Sequence, residues 1–222
     1  MIDWQAISLT VRLAACTALL LLVFGLPIAY WLATTRWPGR VFVEAIVAMP
    51  LVLPPTVIGF YVLVALGPRS FLGRWVESLT GHLLPFSFGG LLVASVLYSL
   101  PFAVQPFTAA IRSVDWTLAD SAKTMGANWW QMMRWVVLPL ALPGITAGAV
   151  LSFAHTLGEF GVVLMVGGNI AGVTRTVSIA IYDQVQSLDY ASAAMNSLVL
   201  LAASFAILTA TYFLQHRFFR VS

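Results

Sequence analysis

His155 and Glu159 stand one helical turn apart in the run HTLGEFG. At that spacing on one helix, an imidazole and a carboxylate can pair or relay a proton, and ionisable groups in an apolar setting call for such a use. Ser152 shares their face with Gly148, while Thr56 follows the double proline Pro54 and Pro55, and Ser99 precedes Pro101. Proline frees backbone carbonyls in a helix, and polar groups beside such breaks suit the lining of a path through an apolar medium. Back-bonding of each hydroxyl to its own helix is the competing use.

Other chemistries lack their residues. His82, His155 and His216 are scattered and form no H-E-x-x-H pair, so no metal site is expected, and no serine occupies a nucleophile elbow. Cys16 is the single cysteine and lies in an apolar run, which excludes an internal disulfide. The one lysine, Lys123 in TLADSAKT, has Thr117 where a phosphate-cradling loop needs its first glycine. The chain therefore reads as no enzyme, with no cofactor of its own and no nucleic-acid partner.

The elements that must position these residues are membrane helices. The chain has 222 residues, of which 60% are hydrophobic and 9% charged, with a mean hydropathy of +0.94; soluble domains carry about a quarter charged residues. Crossing a bilayer takes ~20 apolar helical residues. Five segments are expected to cross: 13–32, 44–66, 91–111, 140–166 and 198–214. The stretch 173–190 is too polar and its apolar middle too short to cross, although it could dip. The run MPLVLPPTVIGF puts Pro50, Pro54 and Pro55 inside the second span, which must be broken or strongly kinked. Gly144 and Gly148 mark a close helix approach on the fourth. Within the apolar segments, Glu44 is expected to pair with Arg40 at i−4 and Arg12 to snorkel to the interface.

Basic residues set the orientation, because Lys and Arg near span ends stay cytoplasmic. With the N-terminus outside, Arg36, Arg40, Arg112, Lys123, Arg134, Arg217 and Arg220 lie inside, against Arg69, Arg74 and Arg175 outside. The segment 115–139 then faces the cytoplasm. Asp115 can cap a helix from Trp116 to about Met125, Gly126 suits the left-handed residue that ends it, and Asn128 with Gln131 can cap a second. Two short helices in a hairpin are expected. Their apolar residues Ala122, Met125, Trp129, Met132, Met133 and Val136 recur at helical spacing, a surface that fits lipid headgroups and a protein partner equally.

The same segment resembles the cytoplasmic signature of binding-protein-dependent ABC-transporter permeases: Glu-Ala-Ala, three residues, Gly, nine residues, then Ile-x-Leu-Pro. Here it reads Asp120, Ser121, Ala122, then Gly126, then Val136, Val137, Leu138 and Pro139. Further stretches, PLVLPPTVIGFYVLVALG, SFAHTLGEFGVVLMVGGNIAGVTRT and IYDQVQSLDYASA, are similar to the permease subunits of molybdate importers. Sulfate and tungstate permeases share much of this pattern. The resemblance implies a single all-α transmembrane domain over 1–222 with the type I importer fold. It further implies an inner-membrane homodimer, and Asp120, Ser121, Ala122, Gly126, Val136, Leu138 and Pro139 docking into a separate ATPase. Two such ATPase subunits would use the ATP and magnesium, and a periplasmic molybdate-binding protein would deliver the oxyanion. Pro54, Pro55, Thr56, Ser99, Ser152, His155 and Glu159 become candidates for the pathway or its gate. A carboxylate is a poor ligand for a dianion, which points Glu159 to gating, to pairing with His155 or to capping a break at Gly158 or Gly161. The rival is a proton-coupled carrier working alone, with His155 and Glu159 as its relay.

Overall fold

The computed structural model describes residues 1–218, with side chains through Phe213; Arg220 and the side chain of Arg217, both counted toward the orientation, lie outside the described residues. Helix α1 runs Trp4–Thr34, and its Leu21–Gly25 section has widened π geometry just ahead of Pro27. The missing proline N–H and the clash of its ring with the carbonyl four residues back account for the wider turn. After a loop, α2 (Arg40–Ala48) ends in a tight Met49–Leu51 turn, and α3 (Pro55–Leu66) sets off at 110° to it. The double proline causes the bend. The ring of Pro55 excludes the helical region for Pro54, which is extended at ψ 138°. The broken second span is thus as expected.

Short α4 (Phe71–Thr80) leads to α5 (Phe88–Arg112), which stays helical through Pro101 and Pro106. Helix α6 (Trp116–Thr124) is followed by α7 (Trp129–Leu157), whose Met133–Val137 section is again of π type, immediately before Pro139. Next come α8 (Gly161–Gly167), α9 (Val177–Gln186) and α10 (Tyr190–Phe218). Among the described residues, four helices are long and apolar enough to cross a membrane, five if the bent pair α2–α3 counts as one span.

Several boundaries differ from the sequence expectation: α1 begins at Trp4 and not at 13, and α10 at Tyr190 and not at 198. The fourth span is not 140–166: it begins at Trp129 and stops at Leu157, and Gly161–Gly167 is a separate helix packed on α3. The reason is the Gly158–Phe160 break. Likewise the second hairpin helix is not short, because Trp129 opens the long α7. Segment 173–190 contains the ten-residue α9, which docks Val177, Ile179 and Ala180 inward and is held at its start by an Arg175–Asp183 pair at 3.6 Å.

The main core lies where α1, α5 and α7 meet, around Leu21, Val104, Phe107, Ile111 and Val137. Gly144 and Gly148 let α7 approach α5: an added Cβ would stand 2.4 Å from the Cβ of Ala110 and 2.7 Å from the ring of Phe107. The close approach expected of that pair is therefore real. Glu44 does not use Arg40; it takes a bond of 2.6 Å from Arg112, which also holds the Leu32 carbonyl at 3.1 Å. Arg12 lies over the ring of Phe88, 5.7 Å from its centre.

Candidate functional site

Ser99 of α5 and Ser152, His155 and Thr156 of α7 form one connected group. The Ser99 hydroxyl lies 2.9 Å from His155 Nδ1 and 2.9 Å from Thr156 Oγ1, and Thr156 donates to the Ser152 carbonyl at 3.0 Å. A hydroxyl has one proton to give. With the Thr156 proton committed to Ser152, Ser99 donates to Thr156 and accepts from His155, which puts a proton on Nδ1. The imidazole is stacked on Phe102 at 3.8 Å and tilted against Tyr98 at 4.9 Å. His155 is thus fixed by three α5 residues at i, i+1 and i+4.

Glu159 does not join this group. Helix α7 has ended at Leu157, so the one-turn spacing no longer brings residues 155 and 159 together. The Glu159 carboxylate is 4% exposed, and neither oxygen has a hydrogen-bond partner among the described residues, nor does the buried hydroxyl of Ser95. It therefore neither pairs with His155 nor caps the break. Ser152 is fully buried and donates to the Ala149 carbonyl at 2.9 Å, the back-bonded use.

Two helix breaks sit side by side. A Cβ on Gly161, at the start of α8, would come within 2.9 Å of Pro55 Cβ, and one on Gly59 within 2.6 Å of Met165. The Pro54–Pro55 bend and the Gly158–Phe160 break thus meet, with Thr56 exposed beside them and Glu159 buried in the second. Tyr98, Phe102 and Thr156 belong to the group, and the unpartnered Ser95 lies one turn before Ser99, but none of the four is singled out by the sequence. The i, i+4 spacing of Ser95 with Ser99, and of Tyr98 with Phe102, was the available signal.

The second assembly is the 115–139 segment. Asp115 caps α6, accepting from the Thr117 N–H at 3.0 Å and its hydroxyl at 2.7 Å, and these bonds hold the Asp115 carboxyl below its ordinary range. At the other end, Ala127 N–H bonds the Ala122 carbonyl at 3.0 Å and Gly126 N–H the Lys123 carbonyl at 2.9 Å, with Gly126 at φ +92°. That is the Schellman arrangement. Asn128 and Gln131 then form the expected reciprocal cap on α7, at 3.0 and 2.8 Å.

The expected apolar face is divided between core and surface. Met132 and Met133 are buried with Ala119, Ala122 and Val136 are half-buried, and Met125 and Trp129 are exposed, as are the neighbouring Trp130 and Trp135. Asp120 is exposed and paired with Lys123 at 2.9 Å; Ser121 bonds its own helix; Val136 and Leu138 are half-buried and Pro139 exposed. Through Ala119 and Met132 the segment is packed into the same core as Phe107 and Val137.

The family model described as "Binding-protein-dependent transport system inner membrane component" matches residues 22–220. The molybdenum transport system permease protein ModB of Azotobacter vinelandii is 50% identical over 210 residues, covering 95% of this chain and 93% of that one. The ModB of Escherichia coli K12 is 37% identical over 185 residues, 83% of this chain and 81% of its own. The sulfate transport system permease protein CysT of the same organism is 35% identical over 198 residues, 89% of this chain and 71% of its own. Among solved structures, a bacterial alginate ABC transporter aligns over 97% of this chain and 79% of its own, with a TM-score of 0.78 at 20% identity. The MetNI methionine ABC transporter in inward-facing form aligns over 94% and 92%, with 0.70 at 19%. These two likenesses bear on fold alone.

Proposed function

The chain belongs to the family of binding-protein-dependent transport system inner membrane components, and on that premise we propose that it is the membrane-spanning subunit of an ATP-driven importer of molybdate. The observation that carries the substrate is half-identity to a molybdenum permease along nearly the whole chain, well above that to a sulfate permease. Two copies pair so that their polar groups face a shared path. Each takes one ATPase subunit at the 115–139 surface, and a periplasmic binding protein delivers the oxyanion. The N-terminus lies in the periplasm and the C-terminus in the cytoplasm.

In this reading the ATPase pushes on α6 through Asp120, Ser121, Ala122 and Gly126. Ala119 and Met132 pass the movement to α5 and α7, which carry the Ser99–His155 group, with the Gly158–Phe160 break at the far end of α7. Pro54, Pro55, Thr56 and Glu159 are the gate candidates. The protons of Ser99 and His155 Nδ1 are committed within the group, so a passing dianion is met by a hydroxyl or imidazole N–H only when one of these bonds opens, and a neutral group there adds no fixed charge that would trap it. Ser152 supports from behind.

The test is reconstitution in liposomes with the cognate ATPase and binding protein. Molybdate should stimulate ATP turnover and enter, with tungstate close behind and sulfate poor. Stimulation by sulfate alone would move the chain to the sulfate permeases. Oxyanion uptake driven by a proton gradient without any ATPase would replace the reading with that of a lone carrier.

A further inference from the structure

A groove of about 520 Å³ opens between the end of α1 and the start of α7. Its floor is apolar, from Leu26 and Pro27 on one side and Met133 and Leu138 on the other. The α1 wall begins directly after the widened Leu21–Gly25 section, and Met133 and Arg134 of the other wall belong to the widened Met133–Val137 section. Tyr30 and Trp129, joined by a bond of 3.2 Å from the indole N–H to the phenol oxygen, form a ridge at its end. On the other side of that ridge lies a polar pocket of about 470 Å³ holding Arg36 and Lys123. Arg134 stands on the rim of the apolar groove itself.

We propose that this bipartite cleft binds one anionic phospholipid, with an acyl chain in the groove and the phosphate held by Arg36 and Arg134. Three observations converge on that occupant. The groove is cut into the ends of two membrane spans, α1 and α7, so its floor faces hydrocarbon. From Pro27 to the end of α1 at Thr34 is about 10 Å of helix, the distance from a headgroup into the upper acyl region. Among the described residues Arg36 and Arg134 take part in no ion pair, whereas Lys123 is engaged by Asp120. Arg134 on the rim of the apolar slot, over the Trp135 ring at 5.5 Å, and Arg36 across the ridge lack a carboxylate partner among the described residues and suit an anion attached to a hydrocarbon tail. The exposed indole of Trp130, set edge-on to Trp129 at 4.6 Å, adds the amphipathic anchor usual at that depth. A soluble partner could meet the arginines but would not reach the floor, and a zwitterionic lipid would fill the floor without meeting their charge. The inference does not depend on which oxyanion is carried.

The experiment is native mass spectrometry of the assembled transporter after exchange into phosphatidylglycerol or phosphatidylcholine of the same acyl chains, with inorganic phosphate as the headgroup-only arm. Wild type should retain phosphatidylglycerol with a roughly tenfold to roughly thirtyfold preference, the size two basic side chains at a membrane surface supply. Inorganic phosphate should not displace it. The Arg36→Gln/Arg134→Gln protein should bind both lipids alike, and Pro27→Phe, which fills the groove from an exposed position, should lose both while keeping wild-type helicity by circular dichroism. Equal retention of the two lipids by wild type, or a preference untouched by the double substitution, overturns the proposal. So does a complex in which another protein chain covers the groove and no lipid is retained.

Discussion

Gly126 is the sharpest test of the lever, because only its backbone is at issue. It holds φ +92° at the end of α6, and a Cβ there would meet nothing within 4 Å. Gly126→Val therefore adds no clash. Its cost is conformational, about 1–2 kcal/mol for an L-residue in a left-handed turn and more for a β-branched one. It is set against the two bonds that close the turn, Ala127 to Ala122 and Gly126 to Lys123, each worth roughly 0.5–1.5 kcal/mol net. At ~1.4 kcal/mol per tenfold, the turn should open in a sizeable fraction of molecules while the core around Phe107 keeps its packing. The readout is molybdate taken up per ATP hydrolysed in proteoliposomes. Valine should lower that ratio severalfold with the melting temperature nearly unchanged. Asparagine, which tolerates positive φ, should recover most of it. If asparagine is as damaging as valine, space for a partner and not backbone geometry governs the position. If valine transports with wild-type efficiency, the turn transmits nothing.

Gly144→Ala drives a Cβ to 2.4 Å from Ala110 Cβ, more than an ångström inside the usual ~3.5–4.0 Å contact, and should destabilise the purified protein by about 1–3 kcal/mol. Adding Ala110→Gly leaves the next neighbours at 3.5 Å and beyond, so the double variant should melt close to Ala110→Gly alone; additive losses would mean that the helices do not meet there. Glu159→Met removes a buried carboxylate that has no partner, so the melting temperature should hold or rise while uptake falls, and a large loss of stability would show that the carboxylate has a structural partner. The Asp115 carboxyl titrates below its unfolded value, so its cap is complete above about pH 4 and fails as pH drops through the folded pKa. Amide exchange in Trp116–Thr124 should accelerate in acid for the wild type but not for Asp115→Asn, and identical acid profiles would assign the effect to another group.

What was legible in the sequence was whatever proline, glycine and caps dictate locally. The Pro54–Pro55 bend, the left-handed Gly126 and the Asn128–Gln131 cap all follow from one or two residues acting on their own backbone. Pairings failed where helix spacing was trusted beyond the helix. Glu44 lies one turn after Arg40, yet that order opposes the favourable one of acid before base. The crossing of α5 instead brings Arg112 to within 2.6 Å. His155 and Glu159 have the spacing of a pair, but the helix ends at Leu157, before Gly158, and the carboxylate no longer follows the helical register of His155. The same break explains why His155 finds Ser99, 56 positions away, since once Glu159 is removed the imidazole has only α5 to bond. Misreading the pair and misplacing the end of the fourth span are therefore one error. It falls at the junction of two helix breaks, Pro54–Pro55 and Gly158–Phe160, where the helical register that relates residues four apart is lost.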